Sequence, residues 1–188
     1  EGSMAPESAR FAEAVHLPAE FVHFPPPEER YTTPITTGLG LGNDAVEAVL
    51  SGLYEIVERD ATMLGWYSTF EPLEVRVDDD RFETMARRAD AEGLEVTPLL
   101  MTQDVDVPVV AVAVHREEWP SFAVGSAADL DATAAATNAL AEALQNWMEL
   151  RDMGPDQAQE AEGAIARYAE YPREVRSFTE PSGRVDAA

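Results

Sequence analysis

The stretch that most constrains this chain is GLGLGNDAVEAVLSGLYEIVERDA, residues 38–61. It opens as a glycine-rich turn and continues as a helix. Asn43 or Asp44 offers a side-chain oxygen to the first free N–H groups, so the helix is expected from Asp44 to about Trp66. Counting about 100° per residue with Glu47 at zero, Glu58 falls at roughly 20°, Ser51 at roughly 40°, Glu55 at roughly 80° and Arg59 at roughly 120°. Val46, Val49, Leu50, Leu53, Ile56, Val57 and Leu64 fill an arc of about 180° to 300°. A helix with two such faces needs a partner. Its apolar arc is expected to root it in a core, leaving a stripe of carboxylates on another side.

The segments LEVRV (73–77), LEVTPLL (94–100) and VPVVAVAVH (107–115) read as strands, the last β-branched and buried. DDDRFETMARRADAEG (78–93) reads as a helix, with acidic residues where they favour the dipole and Gly93 at its end. SFAVGSA (121–127) leads into a second long helix, Asp129 to about Arg151, and Pro155 starts another over 154–171. Nearer the start, EFVHF (20–24) is expected as a strand and PPPEER (25–30) as a loop, because proline cannot pair inside a sheet. No tandem repeat is visible. The expected fold is α+β, a largely antiparallel sheet covered by long helices. The order over 44–100 also admits one parallel crossover.

Composition narrows the chemistry. The 188 residues are 45% hydrophobic, enough for one core, and include no cysteine. Disulfides, thiolate zinc sites and a cysteine nucleophile are therefore excluded. No apolar run reaches about 18 residues, so no membrane span is expected. The polar start EGSMAPESARF lacks the apolar region of a secretory signal, and Gly2-Ser3-Met4 reads as a cloning scar. Asp and Glu number 36 against 13 basic residues, every one of them Arg, for a net charge of −23. Such a surface repels itself in dilute salt. At molar salt the Debye length falls to about 3 Å and the repulsion is screened. The expectation is a cytoplasmic protein of a halophile. Without a basic stripe, a nucleic-acid duplex is not an expected partner.

Two readings fit the carboxylate stripe. In one it is a solvated face: Glu47 completes a capping box with Asp44, and Glu55 pairs with Arg59 one turn on. In the other, Glu47, Glu55 and Glu58 form a hard-oxygen site for Mg²⁺, which binds through one or two carboxylates together with nucleotide phosphates. The second long helix repeats the arrangement. With Asn138 at zero, Glu142 lies at about 40°, Gln145 at about 340° and Glu149 at about 20°, while Leu140, Leu144 and Trp147 lie opposite. His16, His23 and His115 have no metal-ligand spacing. GLGLG lacks the lysine and the strand–turn–helix context of a phosphate-binding loop.

PAEFVHFPPP followed by TTGLGLGNDAVEAVLSGLYEIVERDA resembles the YcaO family. That family shows a PA strand, then glycines and Gly-Asn before a helix whose letters match Glu47-Ala48, Leu53, Glu55 and Glu58-Arg59-Asp60. The resemblance implies use of ATP and Mg²⁺ to phosphorylate a peptide backbone amide oxygen. A thiol, hydroxyl, amine or sulfide then adds, and phosphate leaves to give an azoline, thioamide or amidine. It further implies that Glu47, Glu55 and Glu58 hold Mg²⁺ and nucleotide phosphates, and that Asn43 and Arg59 belong to the ATP site. Glu142-Ala143-Leu144-Gln145 is similar to the family's later helix, which would bring Glu142 and Gln145 near the nucleotide. Peptide or protein substrates are the implied partners, with a substrate-delivery protein in some members.

Departures from the pattern matter. Trp147 stands where the family often has Arg, and neither Arg173 nor Arg176 has the family's spacing near the C-terminus. The match covers only the second half of a YcaO domain. The expected organisation is a lead over 1–17, a C-terminal half-domain over 18–172 and a flexible tail over 173–188. A half-domain implies a fragment or truncated gene product, weak ATP binding alone, and an exposed apolar surface that favours self-association. The salt expectation is testable by itself: melting temperature should rise from dilute to molar KCl. A midpoint that falls as KCl rises would defeat the halophile reading.

Overall fold

The computed structural model describes His16, Pro18 and residues 36–68, 71–102, 104–160 and 178–187. The chain divides into two units, Glu1–Thr36 and Thr37–Ala188. The strand expected at 20–24 and the loop at 25–30 lie outside the described residues. The second unit runs α1 (Ala45–Tyr67), β1 (Leu73–Arg76), α2 (Asp80–Ala91), β2 (Glu95–Leu100), β3 (Val109–His115), β4 (Phe122–Ala128), α3 (Ala132–Met153), α4 (Pro155–Glu160) and β5 (Arg184–Asp186).

Aspartates set the helix starts. Asp44 accepts from the Val46 and Glu47 N–H groups, Asp79 from Arg81 and Phe82, and Asp131 from Thr133 and Ala134. Each satisfies two of the donors that a helix N-terminus leaves unpaired. Gly93 follows α2 at φ 77°, in the left-handed region that glycine enters at little cost.

The five strands form one sheet in the order β4-β3-β2-β1-β5. The first four pair antiparallel, with Val112 opposite Gly125 and Pro98 in the β3 registers. β5 pairs parallel to β1, Val185 opposite Val75. The crossover admitted over 44–100 is not formed there, since β1 and β2 are antiparallel neighbours. β3 is buried at every residue, and its side chains alternate between two cores. Val110, Val112 and Val114 pack with Leu140, Trp147, Phe82 and the alanines of α3. Val109, Ala111 and Ala113 face the other way, with Leu99, Met101, Phe122, Phe178 and Ala61 of α1. Thus α3 and α1 cover opposite faces of the sheet.

Three expectations are corrected. Val57 of the apolar arc of α1 packs half-buried against the core beside Ala61, but the rest of the arc does not root the helix. Val46, Val49, Leu50, Leu53, Ile56 and Leu64 are all exposed, whereas Gly52, Ala61, Thr62 and Gly65 are buried. The helix lies on the sheet by small residues near its C-terminal end, which allow close approach, and its carboxylate side turns inward. SFAVGSA is not a lead-in but a strand, β4, with six of its seven residues buried. The tail is not frayed throughout, because Arg184–Asp186 adds a strand, with Arg184 Nη2 2.7 Å from Glu74 Oε2. Of the helix expected over 154–171, Pro155–Glu160 is seen and the remainder lies outside the described residues.

Contact between α3 and β4 depends on Gly125. A Cβ there would run into Ala139 O and Ala143 N, and would lie 2.8 Å from Glu142 Cβ. The small residues Ala135, Ala136, Ala139 and Ala143 form the facing surface of α3. Gly125→Ala should therefore destabilise the chain by about 2 kcal/mol through overpacking, read by chemical denaturation. An unchanged midpoint would show that α3 can shift away freely.

Candidate functional site

The inward-turned side of α1 borders an open cleft of about 680 Å³ lined by Asp44, Val46, Glu47, Leu50, Ser51, Tyr54, Glu55, Glu58, Ala128, Asp129 and Asn138. The three carboxylates expected on one stripe all reach this cleft. Their immediate partners differ. Glu47 Oε2 accepts from Asn43 N (2.7 Å) and Asn43 Nδ2 (2.9 Å), so it helps to cap the helix. Asn43 is thereby held at the helix start. Glu55 Oε2 accepts from Gly38 N at 3.0 Å, tying the glycine-rich turn to α1 one turn beyond Ser51. Gly38 adopts φ 88°, which suits glycine. The Glu55–Arg59 pair is not among the ion pairs of the described residues, and Arg59 is exposed outside the cleft lining.

Glu58 is placed differently. Its Oε1 accepts from the Ser126 hydroxyl at 2.7 Å, while the Ser126 N–H donates to Glu142 Oε2 at 3.0 Å. One residue of β4 therefore holds carboxylates from α1 and from α3. Along the same strand, Asn146 Nδ2 donates to Val124 O at 2.8 Å. Among the described residues β4 is an edge strand, with backbone groups that no strand pairs, and α3 meets two of them with polar side chains. Gln145, expected beside Glu142, instead donates to Glu149 Oε1 at 3.2 Å on the exposed side of α3 and does not line the cleft. Trp147 lies in the core, its Nε1–H on Pro120 O at 3.0 Å and the Arg116 and Arg151 guanidinium carbons 5.0 and 5.3 Å from its ring centre. His115 is also structural in position, at the buried end of β3, with burial lowering its pKa and Glu95 opposing that shift.

Burial raises the Glu58 carboxyl from 4.5 to about 7. The Ser126 hydroxyl pulls it down, Glu142 pushes it up, and Arg59 and Glu55 make smaller opposed contributions. Neighbouring carboxylates that resist joint ionisation are chemically suited to a hard cation, which neutralises them together. Among the described residues, no group of three His, Asp or Glu side chains is already arranged as a metal cage. The donor set fits Mg²⁺ bound by one or two carboxylates with phosphate oxygens completing its shell. Sequence reasoning missed Ser126, Tyr54, Asp129 and Asn138. The isolated Gly125 within an apolar run was the available signal, since such a glycine marks close backbone approach.

The raised Glu58 pKa has a stability consequence. The stabilising contribution is complete below 4.5 and is lost as pH rises through about 7, because the folded state then carries a confined charge. Glu58→Gln should stabilise the ligand-free chain against unfolding at about pH 8 by on the order of 2 kcal/mol after solvent screening, and by much less at about pH 5. Calorimetric melting at the two pH values checks this; an equal effect at both would contradict the assignment.

Comparison with known proteins identifies the family. The sequence model described as YcaO cyclodehydratase, ATP- and Mg²⁺-binding, matches residues 7–187, a wider span than 18–172. An uncharacterized protein of Methanothermobacter thermautotrophicus is 32% identical over 144 residues, 71% of this chain and 38% of that protein. An uncharacterized protein encoded in the tfuA 3′ region of Rhizobium leguminosarum bv. trifolii is 32% identical over 123 residues, 58% of this chain and 29% of that one. YcaO from Methanopyrus kandleri, solved with AMPPCP and Mg²⁺, superposes with a TM-score of 0.69 at 28% identity, covering 84% of this chain and 42% of that chain. A heterocyclase solved with substrate and cofactor gives 0.71 at 25% identity, covering 83% of this chain and 21% of that one. The chain thus spans less than half the length of these relatives. With the family pattern running through nearly all of it and the same α+β sheet, the chain belongs to the YcaO cyclodehydratase family.

Proposed function

We propose that this chain supplies about half of an ATP- and Mg²⁺-dependent site that activates a peptide backbone amide. The observation that carries the proposal is the convergence of Glu58 and Glu142 on Ser126, beside a cleft that Glu47 and Glu55 also line. In this reading Glu47, Glu55 and Glu58 take part in holding Mg²⁺, and Asn43, Arg59, Glu142 and Gln145, none of which lines the cleft itself, belong to the wider nucleotide-binding surface. Bound ATP supplies a phosphoryl group for the amide oxygen, after which a nucleophile adds to the carbon and phosphate leaves, giving an azoline, thioamide or amidine. This chain's own contribution is positioning and charge neutralisation, which dominate phosphoryl transfer. Its substrates are peptides or proteins, brought by a delivery partner where one is used.

The exposed arc of α1 supports a further part of the proposal, self-association through apolar surface. Leu41 is 91% exposed, and Leu39, Val49, Leu53 and Ile56 line an apolar groove beside the glycine-rich turn. Such a surface favours burial, and molar salt removes the charge repulsion that would oppose it. Among the described residues, no helix is long and apolar enough to cross a membrane.

A second reading, a non-catalytic YcaO-like scaffold, is favoured by the absence of a ready three-residue metal cage among the described residues. Calorimetry separates the two. Mg–ATP added at high KCl should give binding heat that disappears in Glu55→Ala plus Glu58→Ala. A wild-type chain that gives no heat, even with the remaining part of a YcaO domain supplied, would favour the scaffold. Sedimentation of the same samples should show species above the monomer mass; a monomer at every concentration would remove self-association.

A further inference from the structure

We infer that Ser126 is a positioning residue for the cation and phosphate site, fixing the separation of Glu58 and Glu142 by holding both at once. This rests on the Mg–nucleotide reading above. The geometry assigns two different donors to two different carboxylates: the hydroxyl to Glu58 at 2.7 Å and the backbone N–H to Glu142 at 3.0 Å. The hydroxyl is on the side of the sheet covered by α1, while the N–H belongs to the edge strand that α3 overlies. Few residue types can do both. Alanine keeps the N–H and loses the hydroxyl; side chains larger than threonine would crowd a position only 9% exposed.

Its neighbour completes the device. Gly125 lets the α3 backbone come close enough for Glu142 to reach the Ser126 N–H, because a Cβ there would meet Ala139 O, Ala143 N and Glu142 Cβ. The Gly-Ser pair therefore sets how far apart two acidic side chains from opposite faces of the sheet stand. A hydrogen-bond partner that orients a ligating carboxylate keeps it aimed when the charge it faces changes, and loss of such a partner typically weakens metal affinity by about 10-fold or more. Without the hydroxyl, Glu58 keeps its repulsive neighbour Glu142 and loses the donor that offsets it.

The test compares wild type, Ser126→Ala and Ser126→Thr by calorimetric titration with Mg²⁺ plus AMPPCP, alongside the melting temperature of each ligand-free chain. The expected result is a loss of affinity of about 10-fold or more for Ser126→Ala, largely restored in Ser126→Thr, which keeps the hydroxyl. Melting temperatures should not follow that order. Equal affinity of Ser126→Ala and wild type overturns the inference while leaving the nucleotide reading intact. Affinity that falls in both variants in step with melting temperature also overturns it, by showing a purely structural role. A wild-type chain that binds no Mg–AMPPCP defeats the nucleotide reading itself, and this inference with it.

Discussion

Two helices on opposite faces of a sheet have only one kind of place where their side chains can meet, the sheet's free edge. In this protein that place is Ser126. β3 is covered by a neighbour on each side, so nothing from α1 can reach α3 across it. Among the described residues β4 has no strand beyond it, and its outward backbone groups require partners. Glu142 and Asn146 of α3 supply two of them, and Glu58 of α1 joins through the Ser126 hydroxyl. An edge strand that would otherwise invite unwanted pairing is thus tied to acidic side chains from both helices, beside a cleft that its last residue, Ala128, also lines.

The orientation of α1 follows from the same arrangement. A helix normally buries its apolar arc, yet here the small residues Ala61, Thr62 and Gly65 lie inward and the leucines outward. The choice keeps the carboxylate side beside the sheet end, where desolvation raises Glu58 to about 7. Confined like charge is unfavourable by itself, and a bound cation reverses the sign of its effect. The exposed leucines are the complementary consequence of that orientation.

Carboxylates on one stripe also need not share one task. Glu47 and Glu55 spend hydrogen-bonding capacity on Asn43 and Gly38, shaping the helix start and the glycine-rich turn. Glu58 alone of the three is tied to the far side of the cleft through β4. The solvated-face reading and the site reading are therefore both only partly realised: Glu47 N–H donates to Asp44 but its carboxylate turns back to Asn43 rather than to Asp44, while it lines the cleft required by the second.

Much of this was legible in the letters because it is local. The Asp44 cap, the extent of α1, the shared stripe of Glu47, Glu55 and Glu58, and the apolar run of β3 follow from contacts within a few residues along the chain. The family pattern follows from the same short intervals. Helical periodicity fixes the angle between two faces but not which face turns inward, so the expectation of buried leucines on α1 fails where small residues pack closer to the sheet. Likewise, nothing near Phe122–Ala128 shows that it will lie at a sheet edge, nor that Arg184–Asp186 will pair with β1. The sequence by itself determined the helices, their caps and the residues that share a face. Only the tertiary structure decided that Glu58 and Glu142 meet at Ser126, because that contact depends on sheet order and on the close approach Gly125 permits, and both are set by packing between distant segments.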